Sequence, residues 1–364
     1  MRHQAVRGTF FVVLLLAYPG VCPAKVSGPC ADCHTMHNSQ GGAPMAYTLS
    51  STGTKVYGSR VNEGLLNTDC IGCHQGTNAG GSLPFVLDTG APNYGLTGTE
   101  AGTTTLAGGD FHWVALGAER TGHNVAGITP QDTAHVFTPP GGADMGAQLT
   151  CGGTLGCHGS SSAATPTQAI MGGHHGKDIT GWQDGTSVAK SYRFLNGIQG
   201  LEDSLFEFQP TANRHNKYFG KNRVSETDTA AGTISSLCAR CHGSFHNGNG
   251  KIAAGTFGAG VWLRHPVDFD MSRAVSSTEY ITYNQGTGTA NPYSVVSPVA
   301  TASTSTVVNT SVDIATSANN AILMCLSCHR AHGTPYDAIL RWNYKKWPQA
   351  DGYNGCAVCH TTKD

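Results

Sequence analysis

The stretch Cys325-Leu-Ser-Cys328-His329-Arg-Ala-His332, with Cys356-Ala-Val-Cys359-His360 after it, decides the reading of this chain. Each word holds two cysteines separated by two residues, with a histidine directly behind the second. Moving outward, the same word stands at Cys30/Cys33/His34, Cys70/Cys73/His74 and Cys238/Cys241/His242. A sixth word is stretched to Cys151-Gly-Gly-Thr-Leu-Gly-Cys157-His158. Of the 13 cysteines, only Cys22 lies outside these pairs.

Cys-x-x-Cys-His is the attachment word of c-type haem. Two thiols one turn apart reach the two vinyl groups of one porphyrin, and the next histidine is held under the iron. Structural zinc would ask for two cysteine pairs about 15 to 20 residues apart, and the gaps here are longer. Disulfides suit an exported chain but give no reason for a histidine after every pair. At the stretched word two readings stand: a sixth haem c, or a Cys151–Cys157 disulfide in a chain with five.

Beyond His3 and the six motif histidines, ten of the 17 histidines remain: His37, His112, His123, His135, His174, His175, His215, His246, His265 and His332. Six irons need six distal ligands, so the supply exceeds the demand. An iron closed by histidine on both faces exchanges electrons and offers no site to a substrate. The Cys-x-x-Cys-Lys variant that marks a catalytic haem is absent, so the chain reads as a conductor and not an enzyme. His37, His246 and His332 follow their motif histidines too closely to reach the opposite face of the same porphyrin. They are placed to cap a neighbouring one, which forces the haems together.

Composition agrees. Charged residues make up 12% of the chain and glycine accounts for 48 positions, so something other than aliphatic side chains must organise the interior. The net charge of −1 argues against nucleic acid or an anionic membrane surface as partner. Residues 1–24 read as a secretory signal, with Arg2, His3 and Arg7 ahead of an apolar run from Phe10 to Ala17. That run is shorter than the roughly 17 to 25 residues a membrane span needs, and no later stretch is long and apolar enough. Pro19-Gly20-Val21 makes a poor lipobox for Cys22. Residues 25–364 then form a single hexahaem domain. Within it, Tyr336 to Tyr344 is expected to be helical and 286–320 to be a Thr/Ser/Ala-rich surface excursion.

The words around the motifs carry a further signal. Cys33-His34-Thr35-Met36-His37-Asn38-Ser39, Gly108-Gly109-Asp110-Phe111, Gly122-His123-Asn124, Leu263-Arg264-His265-Pro266 and Cys325 to His332 follow one another in order. This string, spread over nearly the whole mature chain, resembles the filament-forming extracellular hexahaem cytochromes, the OmcS-type cytochrome nanowires. The resemblance implies a multihaem cytochrome c fold: mostly coil with short helices and little sheet, wrapped around a continuous haem stack. It implies six covalent haems c with histidine on both faces of each iron, and identical subunits joined head to tail in an open filament. Carried over, His37, His123, His246, His265 and His332 are distal ligands. His37 is the intersubunit one, bound to the fifth haem at Cys325, Cys328 and His329. The chain departs from the family around the third haem, where His175-Gly176-Lys177 resembles a displaced continuation; His175 is therefore chosen over His174. His112, His135 and His215 lack counterparts and are read as surface or propionate-contacting residues. Upstream and downstream electron-transfer proteins or extracellular acceptors complete the expected partners. A monomeric periplasmic or outer-surface carrier, and a multihaem reductase with an open third haem, are the alternatives.

Overall fold

The computed structural model describes residues 26, 28–50, 53–58, 61–94, 103–176, 180–225, 227–246, 265–274, 280–316, 318–346 and 354–361. The expected signal segment and the Leu263-Arg264 pair lie outside the described residues. Among the described residues the longest helices, Cys70–His74 and Ile234–Cys238, have five residues each. The strands are two or three residues long, and the largest sheet joins Trp182–Gln183, Gly200–Leu201 and Lys217–Tyr218. Helices this short do not hold themselves together in water, so the path of the chain is set by tertiary contacts. No described helix is long and apolar enough to cross a membrane.

The aliphatic core is split into three small clusters that back the motif cysteines. Phe111, Val114 and Val125 pack with Leu149 and Cys151. Tyr192, Leu195, Tyr218, Ile322 and Met324 form a second cluster. Met271, Tyr283, Tyr293, Val312, Ile314 and Val358 form a third against Cys359. The last cluster corrects the reading of 286–320 as a surface excursion. Val312 and Ile314 are fully buried, and the longest exposed run among the described residues there is 302–307.

The helix expected over Tyr336 to Tyr344 is also corrected. Residues Asp337–Ile339 and Tyr344–Lys346 form single tight turns instead. Ala338 and Ile339 have φ of 56° and 57°, which no right-handed helix accommodates. Leu340 pairs antiparallel with His329, so the segment is drawn out alongside the fifth motif.

Candidate haem sites

The five regular motifs fold alike. The histidine N–H donates to the first cysteine's carbonyl: His34 to Cys30 at 2.8 Å, His242 to Cys238 at 2.9 Å, His329 to Cys325 at 3.0 Å and His360 to Cys356 at 2.8 Å. At the second motif the same turn is the helix Cys70–His74, capped by Asp69, whose Oδ1 accepts from Gly72 N at 2.9 Å. Gly72 is required there, because a Cβ would sit 1.7 Å from Thr68 Oγ1.

The motif histidines are oriented by backbone carbonyls. Nδ1 of His34 meets Gly64 O at 2.9 Å, His74 meets Pro84 O at 2.8 Å and His158 meets Arg193 O at 3.1 Å. His242 meets Pro140 O at 2.7 Å and His329 meets Ala338 O at 2.8 Å. A carbonyl only accepts, so Nδ1 carries the proton and Nε2 presents its lone pair to a metal. At the first, third and fifth sites the carbonyl comes from one recurring turn: Glu63-Gly-Leu-Leu66, Tyr192-Arg-Phe-Leu195 and Asp337-Ala-Ile-Leu340. Both central residues of each have positive φ, and the closing leucine donates back to the first residue. Each turn's second central carbonyl also takes the N–H of the residue after the motif histidine, from Thr35, Gly159 and Arg330. Sequence reading missed these turns. Their only signal is a shared final leucine, since the strain at Arg193 and Ala338 is hidden by non-glycine residues.

Two imidazoles on opposite faces of one metal, each nitrogen at about 2.0–2.1 Å, keep their ring centroids roughly 6 Å apart. Five motif histidines meet another histidine at that spacing: His34 with His175 at 5.8 Å, His74 with His174 at 6.4 Å, His158 with His332 at 6.3 Å, His242 with His123 at 6.1 Å and His360 with His265 at 5.9 Å. Burial pushes the His74, His123, His158, His265 and His329 imidazoles below their ordinary range, His174 to about 4 and His332 to about 3. These shifts favour the neutral imidazole, the form that binds a metal.

The choice between His174 and His175 dissolves, because both face motif histidines. His246 does not. Its Nε2 lies 2.8 Å from Asp268 Oδ2 in a buried pair, and no ring contact with a motif histidine is seen for it among the described residues. His112 and His215 are not surface residues. His112 is buried with Nδ1 on Asp88 O, and both nitrogens of His215 are taken by Asn216 O and Asn309 O. His135 is exposed, as expected. His37 is exposed, with Nδ1 3.3 Å from Ser39 Oγ, and among the described residues no imidazole stands opposite His329.

Two backbone devices place distal candidates side by side. His174 and His175 are neighbours in sequence. His332 and His123 are neighbours by pairing: residues 332–334 run between 108–110 and 121–123, with His332 N on Gly108 O at 2.7 Å and His123 N on His332 O at 3.1 Å. The glycines of the Gly-Gly-Asp-Phe and Gly-His-Asn words permit this approach. A Cβ at Gly109 would lie 2.0 Å from Gly333 O, and one at Gly122 would lie 2.4 Å from Val114 Cγ1.

The stretched third motif reaches the same end by another route. Thr150–Gly152 pairs in parallel with Gly156–His158, in a register that sets Cys151 beside Cys157. Gly152 and Gly156 leave no room for a side chain between the strands, since a Cβ at Gly156 would lie 2.5 Å from Gly152 Cα. No disulfide joins the twelve described cysteines, and Cys151 is an electrostatic neighbour of Cys70 of the second motif.

Across the sites, thiols of successive motifs are electrostatic neighbours. Cys33 neighbours Cys73, Cys70 neighbours Cys151, and Cys157 neighbours both Cys241 and Cys238. Cys238 also neighbours Cys325, and Cys328 neighbours both Cys356 and Cys359. The six attachment sites thus succeed one another in sequence order, with the Cys30 motif at one end and the Cys356 motif at the other.

Comparison with known proteins now has a geometry to meet. A family model described as a doubled CXXCH motif matches residues 318–364. The C-type cytochrome OmcS of Geobacter sulfurreducens is 30% identical over 91% of this chain and 82% of its own length. This chain belongs to the OmcS family of c-type cytochromes. Two solved OmcS filament structures from the same organism are also similar, at 20% and 21% identity with TM-scores of 0.47 and 0.49. Both comparisons cover 88% of this chain and 85% of the other.

The chain is thus a multihaem c-type cytochrome, mostly coil with short helices and little sheet, and its residues fit the haem the family implies. Beyond the thiols and imidazoles, Arg341 is 4% exposed and its Nη2 has no hydrogen-bond partner among the described residues; Tyr94 and Tyr293 are similarly buried, and their hydroxyls have none there either. Buried donors left in this way suit an anionic carboxylate such as a haem propionate.

Proposed function

We propose that the chain binds six haems c, conducts electrons along them outside the cell, and joins identical subunits head to tail. When bound, each haem supplies a one-electron iron couple. The chain's part is to attach it through two cysteines, hold iron between two neutral imidazoles, and exclude substrate and water from both faces. The ligand pairs so assigned are His34/His175, His74/His174, His158/His332, His242/His123 and His360/His265. His174 then replaces the His246 of the sequence reading. Histidine pairs without methionine favour lower potentials.

The observation that carries the reading is the fifth site. Five motif histidines face an imidazole within the chain, His329 faces none among the described residues, and His37 is exposed. A ligand lent from His37 to His329 of the next subunit is a heterologous contact, which propagates into a filament if its rotation does not close. Against a reductase speaks the facing of His158 by His332, because the third site was the only candidate for an open iron.

Electron cryomicroscopy of the native extracellular fraction tests this directly. Density from His37 entering the His329 site of an adjacent subunit is expected. Monomers with His37 bound inside its own chain would overturn polymerisation and leave a soluble carrier.

A further inference from the structure

The five regular motifs close on themselves through the histidine-to-cysteine hydrogen bonds within one turn. The third, with its longer insert, closes through a wider set of bonds, from Gly156 N to Gly153 O at 3.0 Å, Thr150 N to Leu155 O at 3.0 Å and Gly153 N to His158 O at 3.3 Å. Its Gly153-Thr154-Leu155 segment is also pinned from outside. Thr154 donates through N and Oγ1 to Ala163 O, at 3.0 and 3.1 Å. The other pin is Arg240, whose Nη1 donates to Gly156 O at 3.1 Å and whose Nη2 donates to Thr154 O at 3.3 Å. Arg240 is the residue between Ala239 and Cys241 inside the fourth motif, so the clamp runs from one attachment site to the next. Cys241 is also an electrostatic neighbour of Cys157 across this junction.

We propose that Arg240 is a positioning residue that fixes the expanded third site against the fourth, setting the relative placement of the two haems bound there. The inference rests on the reading that the third site carries a haem. Each added loop residue brings backbone freedom that something must restrain. A guanidinium suits the task because its rigid fork reaches two carbonyls at once, where an ammonium is a single point. Without the clamp, residues 153–156 keep the Ala163 contact but lose their tie to the neighbouring motif. The two porphyrins then sample a range of separations.

The test uses the full haem-loaded chain in five forms: native, Arg240→Ala, Arg240→Lys, a form lacking Gly153–Leu155 that restores a regular Cys-x-x-Cys-His, and that form combined with Arg240→Ala. Intact mass counts the haems, and Soret circular dichroism with a reductive titration reads the coupling between them. Arg240→Ala is expected to keep six haems while weakening the Soret couplet and shifting part of the titration curve. Arg240→Lys should fall between it and the native chain. In the shortened chain, Arg240→Ala should change both readouts less, because only its bond to Gly156 O is left and the insert it restrains is gone. Six haems with an unchanged couplet and titration in Arg240→Ala would overturn the proposal alone. An equal effect in the shortened chain would overturn it too, by showing that Arg240 acts on something other than the insert. Five haems in the native chain, with Cys151 and Cys157 open to alkylation, would overturn the reading of the third site and the proposal with it.

Discussion

Replacing Gly333 with alanine should unseat two distal ligands at once. Gly333 sits where 332–334 passes between 108–110 and 121–123, bridged to Gly109 on one side and Gly122 on the other. A Cβ there would lie 2.4 Å from Asp110 O and 3.1 Å from Thr121 O, both backbone atoms that cannot swing aside. Relief requires moving a strand, which stretches the bonds from Asp110 N to Gly333 O and from Thr334 N to Thr121 O, now 3.0 and 2.8 Å. Overpacking costs about 1–3 kcal/mol, and each backbone hydrogen bond adds about 0.5–1.5 kcal/mol. The expected loss is therefore about 2–6 kcal/mol. Since His332 and His123 ride on this clamp, electron paramagnetic resonance should show a high-spin fraction from the third and fourth sites. Chemical denaturation reads the stability, with Gly81→Ala as control, because a Cβ at Gly81 meets nothing within 4 Å. A Gly333→Ala protein with an unchanged midpoint and wholly low-spin iron would refute the clamp.

Two further outcomes follow from the same geometry. His174→Ala should open one iron to carbon monoxide, whereas His246→Ala should leave every iron low-spin; the opposite result would restore His246 as the ligand. Asp110 is buried, which holds its carboxyl up at about 6 against 3.8 for the free group. It binds its proton more tightly when folded, so its contribution is complete below 3.8 and is lost as pH rises through about 6. That loss is about 3 kcal/mol at most. Asp110→Asn should flatten the dependence of the denaturation midpoint between pH 4 and 7, and an equally steep profile would show that another group is responsible.

The way sequence succeeded and failed here has a physical pattern. Haem attachment is local chemistry: two thiols and an imidazole must lie within one turn, so Cys325 to His329 names its cofactor in five letters. Distal ligation is not local. His246 follows His242 closely and looks available, yet a buried carboxylate at Asp268, distant in sequence, claims its Nε2. His174 and His175 were weighed as rivals because a single row of letters cannot show that adjacent side chains diverge to different partners. The helix expected over Tyr336 to Tyr344 failed because Ala338 must aim its carbonyl at His329, at the cost of a positive φ.

What the sequence determined by itself was the cofactor and its attachment points, the family words, and a low-charge, glycine-rich chain whose aliphatic side chains could not organise the interior. Only the tertiary structure decided which histidines face one another, how the stretched motif brings Cys151 beside Cys157, and the order in which thiols meet from site to site. The reason is reach. Covalent attachment is fixed by neighbours in the chain, whereas the second face of each site is filled by whichever distant segment the folded backbone delivers there.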